Sequence, residues 1–318
     1  MRCFMKILII GAGTIGLSYG WILSTVHDVS FFVRKAKINE YVNGIEIKVN
    51  DRRKYCPNTL VSYIPKITTT LDGEYNIIIV TVTRNQLAGV LPLLKKGAGT
   101  ADIIFMLNHW NIQNEVKQYL DTDNYFIGFP SQIGGGRDKN KLDIIVFDEG
   151  TILGNPGGKY INRILEYKKA FEAAGLSVEI KEDMLGWLKL HYLQQSISAG
   201  AILKAGNYHT FATSHKAVKE MVYAFREGIA VCEAYGVDTK NIFPASMFRY
   251  PAPLVATAMR RMFNQKDTVA MVTGHMNHGL EEWISGYYEV LSDGVKKGID
   301  MPVWESYRVF VDEYINRK

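Results

Sequence analysis

Residues 6–16 read KILIIGAGTIG, an apolar run that stops on Gly11-Ala12-Gly13-Thr14-Ile15-Gly16. The run, ILII, has the continuous hydrophobicity of a parallel strand covered on both faces. A helix is expected over residues 14–26, so the G-x-G-x-x-G hexapeptide is the turn between strand and helix. Gly11 permits the tight turn, Gly13 lets a pyrophosphate approach the backbone, and Gly16 lets strand and helix pack closely. The pyrophosphate then sits on the helix N-terminus, at Thr14 and Ile15. A tight turn without a ligand is the alternative; a second strand expected at 29–33 favours the nucleotide reading. The stretch 7–26 is also long and apolar enough to suggest a signal peptide or a membrane span. Its three early glycines and the HDVSFFV run behind it fit a strand, a turn and a packed helix better.

Outward from this start, short β-branched runs at 76–80, 102–107, 125–129, 143–147 and 177–180 alternate with helical stretches at 87–96, 112–120 and 162–174. That rhythm is the β-α-β signature of a doubly wound sheet. Residues 143–147 and 150–153 lie close enough for a hairpin, which would turn the far sheet edge antiparallel. After about residue 182 the spacing becomes helical, at 184–203, 214–235, 277–295 and 303–315, with Gly175, Gly236 and Gly298 at C-cap positions. Ser214 is the expected N-cap of one of these helices. The proline-rich stretch 243–253 reads as a loop. The expectation is an α/β chain: a doubly wound sheet domain over residues 1–182, then an all-helical domain over 183–318.

Composition narrows the function. Of 318 residues, 47% are hydrophobic and 22% charged, which excludes a disordered chain. Net charge is +5 with no long Lys/Arg run, so neither nucleic acid nor an anionic membrane is required as a partner. Cys3, Cys56 and Cys232 form no C-x-x-C, which argues against a disulfide framework or a cysteine zinc site and for a reducing cytosol.

Cofactor choice is read where the second strand ends. An NAD site places an acid there for the ribose 2′-hydroxyl. Here the chain reads Arg34-Lys35 with Lys37 following, and a guanidinium can fork onto a 2′-phosphate, so NADP(H) is expected over NAD(H). A solvated basic turn is the alternative. Two loops follow strands expected to end in the same crevice: Thr81-Val82-Thr83-Arg84 and Asn108-His109-Trp110-Asn111. Thr81 and Thr83 are assigned to the cofactor, and Asn108 to the nicotinamide amide or a substrate oxygen. His109 is either a proton donor or a solvated loop histidine.

In KILIIGAGTIG, HDVSFFVR, EYNIIIVTVT and FMLN, and more loosely in GFPSQIGGGR and TILGNPGG, the chain resembles the ketopantoate reductase family, divergent in its second domain. Trp187-Leu188-Lys189-Leu190, and Ile284-Ser285-Gly286 before Gly298-Ile299-Asp300-Met301-Pro302, extend the resemblance into that domain. It implies NADPH-dependent reduction of 2-dehydropantoate to pantoate, in a cleft between a Rossmann domain and a helical domain. It implies Gly11, Gly13, Gly16 and Arg34 as cofactor residues, Lys189 as the catalytic lysine and Asn207 as a substrate contact. Thr83 stands where the family often carries a lysine, with Arg84 as a substitute. Leu193 and Ile197 stand where asparagines are expected, with Gln194 and Gln195 nearby. The family's E-x-D-x-x-N-G reads Leu280-Glu281-Glu282-Trp283-Ile284-Ser285-Gly286.

Lys189 is therefore expected to donate the proton and stabilise the developing alkoxide; a lysine snorkelling at a domain junction is the alternative. Gln194, Asn207, Asn108 and Glu282 are the substrate-side candidates, Glu282 being also readable as a solvated face. His275 and His278 with Glu282 have helical metal-ligand spacing, but nicotinamide reduction needs no metal and none is expected. Other readings are a hydroxyacid or opine-type dehydrogenase of the same architecture, and a non-catalytic NADP(H) sensor. The partner expected is a small 2-keto acid, and a homodimer is compatible with the sequence.

Overall fold

The computed structural model describes residues 4–155 and 161–317; the side chains of Ile161, His275, Asn277 and His278 lie outside that description, as do Cys3 and the end of the TILGNPGG motif. The chain divides into two compact units, Met1–Leu185 and Gly186–Lys318.

In the first unit the elements run β1 (Lys6–Ile10), α1 (Thr14–Leu23), β2 (Asp28–Phe32), β3 (Ile45–Asp51), β4 (Thr59–Tyr63), β5 (Lys66–Thr68) and β6 (Ile77–Val80). They continue with α2 (Arg84–Gly97), β7 (Asp102–Met106), α3 (Ile112–Val116), β8 (Tyr125–Phe129), β9 (Ile133–Asp138), β10 (Lys141–Val146), β11 (Thr151–Gly154), α4 (Ile161–Ala173) and β12 (Val178–Ile180). The main sheet has the order β12-β11-β8-β7-β6-β1-β2-β5. β1 is flanked by β2 on one side and β6 on the other, both parallel, with Ile10 in register with Phe32 and Val80. The strand order therefore reverses at β1, and the crevice at its carboxyl end is where such sheets hold ligands. Ile7 to Ile10 and Ile77 to Val80 are all buried, which is why these strands read as unbroken apolar runs. The apolar stretch 7–26 is thus a strand, a turn and a helix, and no helix among the described residues is long and apolar enough to cross a membrane.

A second sheet, β4-β3-β10-β9, was not expected. β3 and β10 alternate buried and solvent-facing residues, and Ile45, Ile47, Val49, Leu142, Ile144 and Val146 join the same core as Leu17 and Tyr19 of α1. The expected hairpin of 143–147 with 150–153 does not form. β10 is one-sided and pairs with β3 and β9, whereas β11 is buried throughout and lies antiparallel to β8 in the main sheet. The one-sided face of β10 goes with the second sheet, and the two-sided burial of β11 with the main one. The far edge does turn antiparallel, at β8–β11.

The second unit is helical: α5 (Met184–Ala205), whose first turn holds the boundary, then α6 (Tyr208–Thr213), α7 (His215–Ala234), α8 (Ala252–Phe263), α9 (Lys266–Lys296), α10 (Pro302–Glu305) and α11 (Arg308–Asn316). Ser214 caps α7, its hydroxyl accepting from the Ala217 N–H at 3.2 Å. The stretch read as a loop, 243–253, contains a 3₁₀ turn over Ala245–Arg249 and already opens α8. Pro253 sits in the first turn of α8, where its missing N–H costs nothing. α9 starts eleven residues before the expected 277 and runs through Gly274 and Gly279, each of which costs about 1 kcal/mol of helix propensity. Trp304 and Tyr287 lock the core of this unit: each ring donates to the other residue's carbonyl, at 3.2 and 2.8 Å.

Candidate functional site

Steric demand builds the glycine loop. Gly11 has φ +111°, and a Cβ there would stand 2.8 Å from the Thr81 carbonyl carbon. A Cβ on Gly16 would lie 1.9 Å from the Gly11 carbonyl oxygen. At Gly13, by contrast, an added Cβ would meet nothing within 4 Å. Two glycines are fixed by the protein's own packing and the third borders open space. Gly13 is also the N-cap of α1 and carries no side-chain cap, so the first-turn N–H groups around Thr14 and Ile15 remain for an outside acceptor. These features fit a dinucleotide pyrophosphate.

Thr81 follows β6 directly, and its hydroxyl donates to the Gly11 carbonyl at 2.7 Å. It holds the loop's shape. Thr83 is the N-cap of α2, and the Gln86 side chain accepts its backbone N–H at 3.3 Å, so its first task is to start a helix. Arg34 is exposed at the residue where β2 gives way to a 3₁₀ turn, Lys35–Glu40, on the carboxyl side of the sheet. That turn leads into Tyr41, whose hydroxyl donates to the Ala12 carbonyl at 3.3 Å.

Asn108 comes two residues after β7, and its Oδ1 is buried without a hydrogen-bond partner. Such an acceptor costs about 1–3 kcal/mol unless something donates to it. A carboxamide or hydroxyl would do so. His109 is 1% exposed. Its Nδ1 accepts the Asn111 N–H at 3.0 Å, which leaves Nε2 to carry the proton toward Glu115 Oε1, also at 3.0 Å. His109 is a buried loop anchor rather than a solvated side chain.

In the second unit Lys189 lies on α5, half-buried, its Nζ 5.0 Å from the centre of the Tyr235 ring. Burial pulls its ammonium down to about 8, against the opposing influence of Cys232, Asp293 and Glu289. Burial likewise pushes the Cys232 thiol up to about 12, which keeps it neutral. One turn along, Tyr192 donates to Glu289 Oε2 at 2.9 Å. Gln194 is half-buried, and the neighbouring Gln195 has a buried Nε2 without an acceptor. Leu193, Ile197 and Leu280 are buried. Asn207 caps α6, its Oδ1 taken by the Thr210 N–H and hydroxyl at 2.9 and 3.1 Å. Glu282 is half-buried on α9. The metal reading involving His275 and His278 falls on side chains outside the described residues; among those described, no group of three or more His, Cys, Asp or Glu could hold a metal.

Sequence reasoning missed Arg137, on β9 of the second sheet. Its guanidinium donates to the Ala12 carbonyl at 2.7 Å and to the Tyr41 hydroxyl at 3.0 Å. Arg137 closes the stretch GFPSQIGGGR, which shares loosely in the family resemblance without assigning the arginine a role; the fold brings it to the glycine loop.

Residues 7–153 match the family model of ketopantoate reductase PanE/ApbA. The resemblance to the ketopantoate reductase family holds. A curated member of that family, 2-dehydropantoate 2-reductase of Bacillus subtilis (strain 168), is 26% identical over 124 residues, covering 39% of this chain and only 40% of the relative. Solved structures cover nearly the whole chain. 2-Dehydropantoate 2-reductase from Geobacter metallireducens GS-15 superposes with a TM-score of 0.74 at 17% identity, covering 97% of this chain and 99% of that one. D-mandelate dehydrogenase, solved with NADH and anilino(oxo)acetate, gives 0.73 at 16%, covering 97% and 98%. At these identities the likeness concerns the fold.

Proposed function

We propose that the protein reduces a 2-keto acid to a 2-hydroxy acid with NADPH, with 2-dehydropantoate as the leading substrate. The observation that carries this reading is the Lys189 ammonium, drawn to about 8 by burial, in a chain that also carries an open glycine-loop cradle. The reduced nicotinamide, when bound, supplies the hydride. Gly13, Thr14 and Ile15 receive the pyrophosphate through backbone N–H groups, with Gly11 and Gly16 fixing the turn and Thr81 bracing it. Arg34 forks onto the 2′-phosphate. Asn108 Oδ1 accepts a hydrogen bond from the nicotinamide amide or from a substrate hydroxyl. Lys189 Nζ gives its proton to the keto oxygen as that oxygen gains charge, and recovers a proton from solvent afterwards. An acid with pKa about 8 is mostly protonated at neutral pH, yet sits closer to neutrality than an ordinary lysine, which suits proton transfer in either direction. Gln194 and Glu282 are the proposed substrate contacts; Asn207 can add only its amide N–H₂ while Oδ1 caps α6. A reducing cytosol is the proposed compartment.

A second reading is favoured by one group of residues. Leu193, Ile197 and Leu280 are buried where the family resemblance calls for two asparagines and a glutamate. Fewer hydrogen-bonding groups suit a 2-keto acid with an apolar side chain, and a mandelate-type dehydrogenase shares the fold. A panel of 2-keto acids, each assayed with NADPH and NADH, separates these. Fastest turnover of 2-dehydropantoate with NADPH supports the first reading; preference for phenylglyoxylate or a branched keto acid supports the second. Tight NADPH binding without turnover of any acid would leave a sensor.

A further inference from the structure

The four-stranded sheet does more than cover α1: it delivers one guanidinium to the carbonyl in the middle of the glycine loop. Arg137 is largely buried, with 15% of its side chain exposed. Its Nε donates to the Lys139 carbonyl at 2.7 Å, which fixes the stem, and its guanidinium carbon stands 4.9 Å from the centre of the Tyr41 ring. One terminal nitrogen donates to Ala12 O and to the Tyr41 hydroxyl; the other faces Glu40 at 3.8 Å. The Tyr41 hydroxyl donates to the same Ala12 oxygen. Two donors from outside the loop thus converge on a single loop carbonyl.

The consequence follows from peptide geometry. The Ala12 carbonyl and the Gly13 N–H belong to one planar trans unit, so they point in opposite directions. Clamping the oxygen between Arg137 and Tyr41 therefore aims the Gly13 N–H away from them, and Gly13 itself borders open space, since an added Cβ there would meet nothing within 4 Å. A cation on the carbonyl also polarises the amide and strengthens its N–H as a donor. We infer that Arg137, seconded by Tyr41, is a positioning residue for the dinucleotide pyrophosphate: it orients and polarises the peptide that receives the phosphate, and it serves NADH and NADPH alike. The inference rests on the reading of the glycine loop as a dinucleotide site. It differs from the role of Arg34, which reads the 2′-phosphate and so separates the two cofactors.

Titration of the full-length protein with NADPH and with NADH, followed by reduced-nicotinamide fluorescence, tests this. Arg137→Gln should weaken both cofactors by about tenfold, the loss of one charge-assisted hydrogen bond, with their affinity ratio unchanged. Tyr41→Phe, which keeps the ring beside the guanidinium, should weaken both by roughly threefold, since its bond to Ala12 is long. Arg137→Lys keeps the charge but loses the fork, and should recover only part of the loss. In turnover assays the change should appear in the cofactor KM and leave kcat at saturation unaltered. Unchanged affinity in Arg137→Gln would overturn the inference. So would weakening confined to NADPH, which would make Arg137 a 2′-phosphate contact. So too would an affinity loss that disappears well below a lowered melting temperature, which would make the residue merely structural. Failure of the unaltered protein to bind either cofactor would sink the dinucleotide reading itself.

Discussion

An added Cβ at Gly16 would stand 1.9 Å from a backbone oxygen, whereas Leu193 and Ile197 sit comfortably buried where the family resemblance calls for asparagine. The first position belongs to a loop that, in the proposed function, works through its main chain, so sterics dictate the residue and the motif stays readable. The second belongs to a helix that, in the proposed function, would work through its side chains. A helix tolerates nearly any residue at a given position, so its substrate contacts can change without disturbing the fold. One half of the molecule is therefore legible by motif, and the other only through individual side chains such as Lys189.

Substitutions can break this contrast. The largest expected effect is on Lys189→Ala: turnover with the best keto acid should fall ~10²–10⁴-fold, the usual contribution of a general acid, with NADPH affinity unchanged by titration. Equal loss of cofactor affinity would show that the lysine supports structure rather than proton transfer. Next come the two glycines. Gly16→Ala should destabilise the first unit by about 3 kcal/mol or more in denaturant unfolding, because the clash is with backbone. Gly13→Ala should fold within about 0.5 kcal/mol of the parent, as for an unobstructed surface site, yet bind dinucleotide weakly. Equal stability of the two variants would remove the distinction between packing and ligand-facing glycines. Smaller still, Arg34→Ala should cost NADPH about 1.5–3 kcal/mol and NADH little, since only a charge-assisted contact to the 2′-phosphate is lost. Equal weakening of both would show that Arg34 does not read the phosphate.

What the sequence revealed follows the same line. The strand-turn-helix at 6–23 and the parallel core strands were legible because unbroken apolar runs and fixed glycines leave few alternatives. The four-stranded sheet was not, although Ile45-Glu46-Ile47-Lys48-Val49 alternates as a one-sided strand should. Its partner, β10, lies some ninety residues away, and the β-α rhythm assigned that run to the main sheet. The contact of Arg137 with the glycine loop is illegible for the same reason: it arises from long-range pairing. His109, readable from sequence as a proton donor or a solvated histidine, is buried with Asn111 and Glu115 on its two nitrogens, partners that its loop sequence does not announce. Thr81 and Thr83, assigned from sequence to the cofactor, also brace the glycine loop and cap α2, roles that their sequence positions do not reveal.

In the proposed function the Lys189 amine exchanges a proton with substrate, and the pH dependence of both reaction directions reports on it. Reduction needs the ammonium, so its rate should decline as pH rises through about 8; oxidation of the hydroxy acid needs the free amine and should rise over the same range. Lys189→Ala should abolish both inflections. Profiles that bend together, or an inflection near 8 that survives in Lys189→Ala, would contradict the account.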